Sequence, residues 1–159
     1  MAIEKVREYL KTKGFADKIQ EFEVSSATVE LAAIALNTEG KRIAKTLSFD
    51  VNGTPVLIVC AGDAKINNSK FKTVFGTKAK MFAFEDVESK IGHAVGGVCP
   101  FAVNNGVVVY LDESLKRFDY VFPACGSSNS AIKLTTTELE ELSNYEKWID
   151  VCVIPEDNQ

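Results

Sequence analysis

RIAKTLSFDVNGTPVLIVCAG, residues 42 to 62, holds two strands and the turn from which the rest of the fold can be laid out. An Asn-Gly pair between two apolar runs is a strong hairpin signal, because both turn positions tolerate positive φ. Residues 42–51 and 54–61 are therefore expected to be antiparallel neighbours across Asn52-Gly53. Side chains alternate along a strand, so Ile43, Lys45, Leu47, Phe49 and Val51 share one face, the one that should be buried. A cation there needs a reason. Unpaired burial disfavours an ammonium, so Lys45 borders a cavity or meets an acid, unless its head reaches water past Ile43 at a strand end.

Working outward, residues 2–13 place Ile3, Val6, Tyr9 and Leu10 at helical spacing, with Gly14 as the stop. QEFEV (20–24) alternates as a short strand, and SSATVELAAIAL reads as a helix capped by Ser25 or Ser26 and ending near Asn37. Downstream, helices are expected over 68–75 and 86–91, and strands over 80–84, 98–103, 107–112, 120–124, 130–134 and 148–154. A helical turn covers 113–117, and Thr135 and Glu138 have the spacing of a capping box opening a last helix. Several strands are joined by turns too short for parallel crossovers. The expected fold class is α/β of the α+β type: a mixed, largely antiparallel sheet surrounded by helices, in one domain over 1–159.

With 159 residues, 46% hydrophobic and 25% charged, the chain can build one ordinary globular core without staples. The N-terminal stretch has no signal-peptide pattern and the longest apolar runs are far shorter than a membrane span, so a cytoplasmic protein with no membrane partner is expected. Cys60, Cys99, Cys125 and Cys152 are widely spaced and His93 is the one imidazole, which argues against zinc; no metal or cofactor is expected. A net charge of −4 argues against bulk electrostatic attraction for nucleic acid. Its distribution is uneven: Lys65, Lys70, Lys72, Lys78 and Lys80 form a local basic run, while Glu138, Glu140, Glu141, Glu146, Asp150, Glu156 and Asp157 crowd the C-terminal end. The basic run is either a solvated surface or a phosphate-attracting face.

Two further stretches are candidates for chemistry. GHAVGGVCPF (92–101) has three glycines in six residues and then Pro100, a loop whose backbone can approach a ligand and direct N–H groups at it, or merely a turn needing positive φ. It fits neither of the common nucleotide-binding glycine patterns. His93 and Cys99 within it invite a thiolate–imidazole pair, but no third orienting residue is evident and a cysteine among apolar neighbours is usually a small hydrophobe. ACGSSNSAIKL (124–134) adds a loop of small hydrogen-bonding residues, Gly126, Ser127, Ser128, Asn129 and Ser130, between two apolar strands.

Taken in order, SSATVELAA, RIAKTLSF, GHAVGGVCPF and GSSNSAIKLTTTEL resemble the YbaK-like aminoacyl-tRNA deacylases, a family similar to the editing domain of bacterial prolyl-tRNA synthetases. The resemblance runs from about residue 20 to residue 145. It implies that fold, and a free-standing enzyme that hydrolyses the ester of a mischarged tRNA, a task that arises because a synthetase pocket rejects near-isosteric side chains poorly. The family's lysine maps onto Lys45 in Ile43-Ala44-Lys45-Thr46, its glycine-proline loop onto Gly96, Gly97, Val98, Cys99 and Pro100, and its second glycine loop onto Gly126 to Asn129.

On that footing Lys45, Gly96 and Gly97 are the expected catalytic residues, with the two glycine amides facing the developing oxyanion. Thr46, His93, Val98, Cys99, Pro100, Gly126, Ser127, Ser128 and Asn129 are the expected substrate contacts. Relatives that remove alanine carry a histidine where this chain has Ala124 and Cys125, which favours cysteine, serine or threonine over alanine as the amino acid removed. The resemblance points to tRNA-Pro as the leading tRNA and leaves the nucleophile as water or, for cysteine, the substrate's own thiol. The implied partners are the 3′ end of a misacylated tRNA and an aminoacyl-tRNA synthetase. The alternative is a non-catalytic module of the same fold that binds tRNA or a nucleotide.

Overall fold

The structure is a computed structural model that describes residues 2–155, so Glu156 and Asp157 of the acidic run lie outside the described residues. Its centre is the hairpin of β2 (Ile43–Val51) and β3 (Thr54–Ala61), antiparallel from Ala44↔Ala61 to Val51↔Thr54. Asn52 and Gly53 have φ of 51° and 88°, the left-handed pair that a two-residue turn requires. The Asp50 carboxylate accepts the Gly53 N–H at 2.8 Å and fixes that turn. Leu57 through Ala61 are all fully buried, side chains of both parities alike, so β3 is covered on both faces.

The hairpin lies in the middle of a six-stranded sheet completed by β5 (Val108–Asp112), β6 (Tyr120–Pro123), β8 (Leu134–Thr135) and β9 (Lys147–Ile149), in the order β8-β6-β2-β3-β5-β9. The sheet is mixed: the long β2–β3 ladder and β6–β8 are antiparallel, while β2–β6, β3–β5 and β5–β9 are shorter parallel ladders. Two small antiparallel sheets flank it, β1 (Gln20–Glu21) with β7 (Ser130–Ala131), and β4 (Lys65–Ile66) with β10 (Cys152–Val153).

Helices pack around this frame where apolar spacing and caps direct them. In α1 (Ala2–Thr12), Val6 and Leu10 are fully buried, and Tyr9 ties the helix down by donating to the Leu142 carbonyl at 2.7 Å. Next come α2 (Val29–Leu36), α3 (Asn68–Phe75), α4 (Phe84–Ile91) and α5 (Thr136–Ser143). Phe71 of α3 stacks between Phe49 and Phe75 with ring centroids 5.0 and 4.6 Å away. Thr135 and Glu138 complete both halves of the expected capping box on α5. Among the described residues no helix is long and apolar enough to cross a membrane.

Several elements differ from the sequence reading. The 98–103 stretch is irregular: Pro100 has no N–H to give a ladder, and Ala102 takes φ 53°. Residues 80–84 make one bridge, Phe49↔Met81, before α4 begins, and only Gln20–Glu21 of 20–24 is strand. The 130–134 run is split because β7 pairs with β1 while β8 pairs with β6. Residues 148–154 turn at Asp150-Val151, where the buried Asp112 carboxylate accepts the Val151 N–H at 2.9 Å. The cap of α2 is Thr28, whose hydroxyl accepts the Leu31 N–H at 3.1 Å. Ser26 is instead held extended, its N–H donated to the Ser128 carbonyl at 2.7 Å.

The fold therefore loads its stability onto β3. Leu57→Ala should cost about 2–5 kcal/mol by cavity formation, against ~1 kcal/mol for the cap variant Thr135→Ala. Urea unfolding midpoints check the order; a milder loss for Leu57→Ala than for Thr135→Ala would contradict the buried centre.

Candidate functional site

The sheet opens into a cleft of about 210 Å³ beside the first half of β2. Its floor is Ile43 to Leu47, one wall is Ser26 to Val29 with Ala32 of α2, and the other brings in Gly96, Val98, Phe122, Ala124, Ser130 and Ala131. The lining is mostly apolar, with the residues Ser26, Thr28, Thr46 and Ser130 and one cation, Lys45, among it.

Lys45 is half-buried on the strand face anticipated from alternation. Its ammonium donates to the carbonyls of Ala64, at 2.5 Å, and Gly62, at 3.3 Å. Both acceptors are main-chain groups of the bend between β3 and β4, and among the described residues no carboxylate forms an ion pair with it. Of the alternatives drawn from the sequence, the cavity is present and the acid is not. An ammonium has three N–H donors, so one remains for a ligand. The bend can come this close because residue 62 is glycine: a Cβ there would lie 2.0 Å from the Gly40 carbonyl oxygen.

The two glycine loops meet backbone to backbone. A Cβ on Gly97 would stand 2.7 Å from both Gly126 C and Ser127 N, and Gly126, at φ +95°, is pressed against Val6 and the Ala2 carbonyl. Gly97 thus joins the loops from behind the cleft, and its N–H donates to the Ala94 carbonyl at 3.0 Å. That corrects the paired-amide expectation: Gly97 N–H is already committed. Gly96, at φ +96°, does face the cleft, and among the described residues no hydrogen bond occupies its N–H.

Of the other expected contacts, Thr46 and Val98 line the cleft. Gly126, Ser127, Ser128 and Asn129 support its rim. The Ser127 hydroxyl donates to the Asn129 side-chain oxygen and pairs with the Ser130 hydroxyl, the Asn129 amide donates to the Phe22 carbonyl, and Ser128 holds Ser26. Pro100 belongs to a separate hollow with Tyr9 and Leu142.

His93 and Cys99 are fully buried and lie outside the cleft lining. The imidazole Nε2–H donates to the Phe101 carbonyl at 2.7 Å, so that nitrogen carries the proton and cannot serve as base to the Cys99 sulfur 3.5 Å away. Burial pushes the thiol up to about 12, well out of reach of a working thiolate. The pair braces the loop that carries Gly96.

The lysine run is partly spent on structure: Lys70 donates to the Asp150 carboxylate and the Cys152 carbonyl, both at 2.9 Å, and Lys80 lies 3.8 Å from Asp50. Lys65, Lys72 and Lys78 are exposed. Sequence reasoning did not pick out Ser26 to Val29, Ile43, Leu47, Phe122 or Ala131, the walls of the cleft, since small and apolar side chains carry no chemical signature. Among the described residues no group of three or more His, Cys, Asp or Glu is placed to hold a metal ion.

A mixed sheet with a lysine set into a cleft that the Gly96 loop borders is the frame on which the comparisons with known proteins fall. The aminoacyl-tRNA editing domain matches residues 23–142, and the chain belongs to that family. An uncharacterised Bacillus subtilis (strain 168) protein, YwhH, is 52% identical over 96% of this chain and 98% of its own length. A proline–tRNA ligase of Bacillus cytotoxicus is 25% identical over 82% of the chain, which spans 23% of that ligase. Among solved structures, a candidate trans-editing enzyme for prolyl-tRNA synthetase superposes with a TM-score of 0.84 at 28% identity, covering 94% of this chain and 96% of that one. The expected family and fold are thereby established.

Two outcomes follow from the buried loop. The thiols of Cys60, Cys99, Cys125 and Cys152 are all buried, so alkylation near pH 8 should leave the folded protein unmodified and label it in denaturant; rapid Cys99 labelling of the folded chain would reopen the nucleophile. Burial also holds His93 below its ordinary 6.5. The unfolded chain then binds the proton first, so stability should fall as pH drops below about 6.5, a component that His93→Gln should remove from the pH dependence of the unfolding midpoint.

Proposed function

We propose that this protein is a free-standing deacylase that hydrolyses the ester between a wrong amino acid and the 3′ end of a tRNA, with tRNA-Pro the first candidate. The observation that carries this reading is the Lys45 ammonium, held by two carbonyls with a donor to spare, inside a cleft that the Gly96 loop closes. The editing-domain match over 23–142 supplies the context.

In this scheme water attacks the ester carbonyl carbon, the bond to the ribose oxygen breaks, and that oxygen leaves with a proton. Lys45 provides a fixed positive charge for the phosphate of the terminal adenosine or for the reacting ester, and the Gly96 N–H a donor for the oxyanion. With Cys99 buried and protonated, the attacking group is water or, for a cysteinyl ester, the substrate's own thiol. The cleft of about 210 Å³ suits a small amino acid, and its Ser26 and Ser130 hydroxyls favour cysteine, serine or threonine ahead of alanine. With a net charge of −4, delivery by a synthetase, or recognition of little more than the aminoacyl end, is the fitting mode of encounter in the cytoplasm.

The test is a deacylation panel of tRNAs charged with alanine, cysteine, serine and threonine. Wild-type protein should release at least one of the last three, Lys45→Met should lose about 100-fold or more of that rate, and Cys99→Ala should keep it. Release of none would favour a non-catalytic tRNA-binding or nucleotide-binding module.

A further inference from the structure

Strand β2 is paired along both edges at Ala44 and along one edge only at Thr46. The two-residue turn makes Val51 and Thr54 a mutually bonded pair, and an antiparallel ladder alternates, so the odd residues of β2 bond to β3 and the even ones aim N–H and C=O away from it. Two bonds agree with this parity. Asp50 donates its N–H outward to the Lys80 carbonyl at 2.8 Å. Ala61, opposite Ala44, turns its N–H away from β2 to the Ser114 hydroxyl at 3.1 Å.

On the outer edge, Ala44 meets β6 in register with Pro123, and there the parallel ladder stops. The Pro123 carbonyl is taken by the Ile132 N–H at 3.0 Å, and the chain swings away toward Gly126. Two residues along from Ala44, Thr46 is left facing the cleft. By the parity of the ladder its N–H and C=O point away from β3, β6 has no residue in register with it, and outside the strand ladders no hydrogen bond to either group occurs among the described residues. Its Oγ1 is closed off from solvent and also has no partner. Thr46 therefore offers the cleft an unpaired main-chain donor and acceptor beside Lys45, an open edge that a ligand can take up.

A strand residue with free N–H and C=O is a template for another strand. An aminoacyl ester has the same N–Cα–C=O spacing as a strand residue, with an ammonium donor at one end and a carbonyl acceptor at the other. We propose that the aminoacyl group docks on the open edge of β2 as a strand of one residue. Its α-ammonium donates to the Thr46 carbonyl, and its ester carbonyl accepts the Thr46 N–H. This rests on the deacylase reading and names the part of the substrate that is gripped: main-chain atoms common to all amino acids, which makes the free α-ammonium a requirement and leaves the side chain to the cleft walls.

Backbone amide exchange, followed by NMR on the full chain, tests the edge directly. In the free protein Thr46 N–H should exchange at least about 100-fold faster than Lys45 and Leu47, which bond to β3. A stable amide mimic, 3′-seryl- or 3′-cysteinyl-amino-3′-deoxyadenosine, should slow Thr46 about tenfold or more, and its N-acetyl derivative should not. In parallel, N-acetyl-aminoacyl-tRNA should be hydrolysed at least about tenfold more slowly than the unblocked substrate. Thr46 protected in the free protein, no response to the mimics at millimolar concentration, or equal treatment of blocked and unblocked ligands overturns the proposal. If the mimic protects Thr46 while no charged tRNA is hydrolysed, the docking mode stands and the deacylase reading falls.

Discussion

The arrangement depends on a cation held by carbonyl oxygens rather than by a carboxylate. Had an acid met Lys45, the pair would have been nearly neutral and its field inside the cleft mostly cancelled. The Ala64 and Gly62 carbonyls orient the ammonium through their dipoles and leave its full charge in place. Neutral partners also cost less to desolvate than a second ion, so a half-buried lysine can be kept charged without a buried salt bridge. What makes this possible is geometric: the bend after β3 must lie over the lysine, and it does so only because Gly62 packs against the Gly40 backbone with no room for a Cβ.

The same device recurs on the far wall. Gly97 rests on the Gly126–Ser127 peptide, and Gly126 on the first turn of α1, so three segments distant in sequence touch through main chain alone. Packing of this kind is rigid, since peptide groups have no rotamers through which to relax. It explains why the 92–101 loop, which has few ladder bonds, can hold Gly96 at the cleft. His93 and Cys99 contribute from below by converging on the Phe101 carbonyl. Their burial gives them a structural task and removes them from acid–base and nucleophilic roles.

How far the fold was legible follows from where each element gets its specification. The β2–β3 hairpin, α3 and the α5 capping box are set by local chemistry, and the sequence reading places them within a residue. The 98–103 and 130–134 segments look like strands by composition but are bent by distant partners: Phe101 by the buried pair, Ile132 by Pro123. At the site, Lys45 and Gly96 could be found because a cation on an apolar face and clustered glycines are anomalies in a pattern. The cleft walls could not, because Ala27, Ala32 and Ala131 matter for being small, and Ser26 for a main-chain bond to Ser128.

A cleft assembled from backbone has a consequence for selectivity. Main-chain donors and acceptors are the same whatever the side chain, so they can hold a ligand's invariant part while the bulk of the flanking residues sets what else fits. Hydrophobic walls discriminate weakly, about 1–3 kcal/mol per methylene, whereas unmet polar groups penalise a ligand that lacks the matching atoms far more. The lining here has both kinds of surface: Ile43, Leu47 and Phe122 on one side, the Thr46 main chain and the Ser130 hydroxyl on the other. A substitution enlarging the apolar wall, such as Ala131 to a bulkier residue, acts on the weak kind of discrimination, while the strong kind resides in the Ser130 hydroxyl and in the Thr46 main chain, the second of which no side-chain substitution removes. Related chains could therefore differ in the amino acid they accept while sharing one mode of holding it.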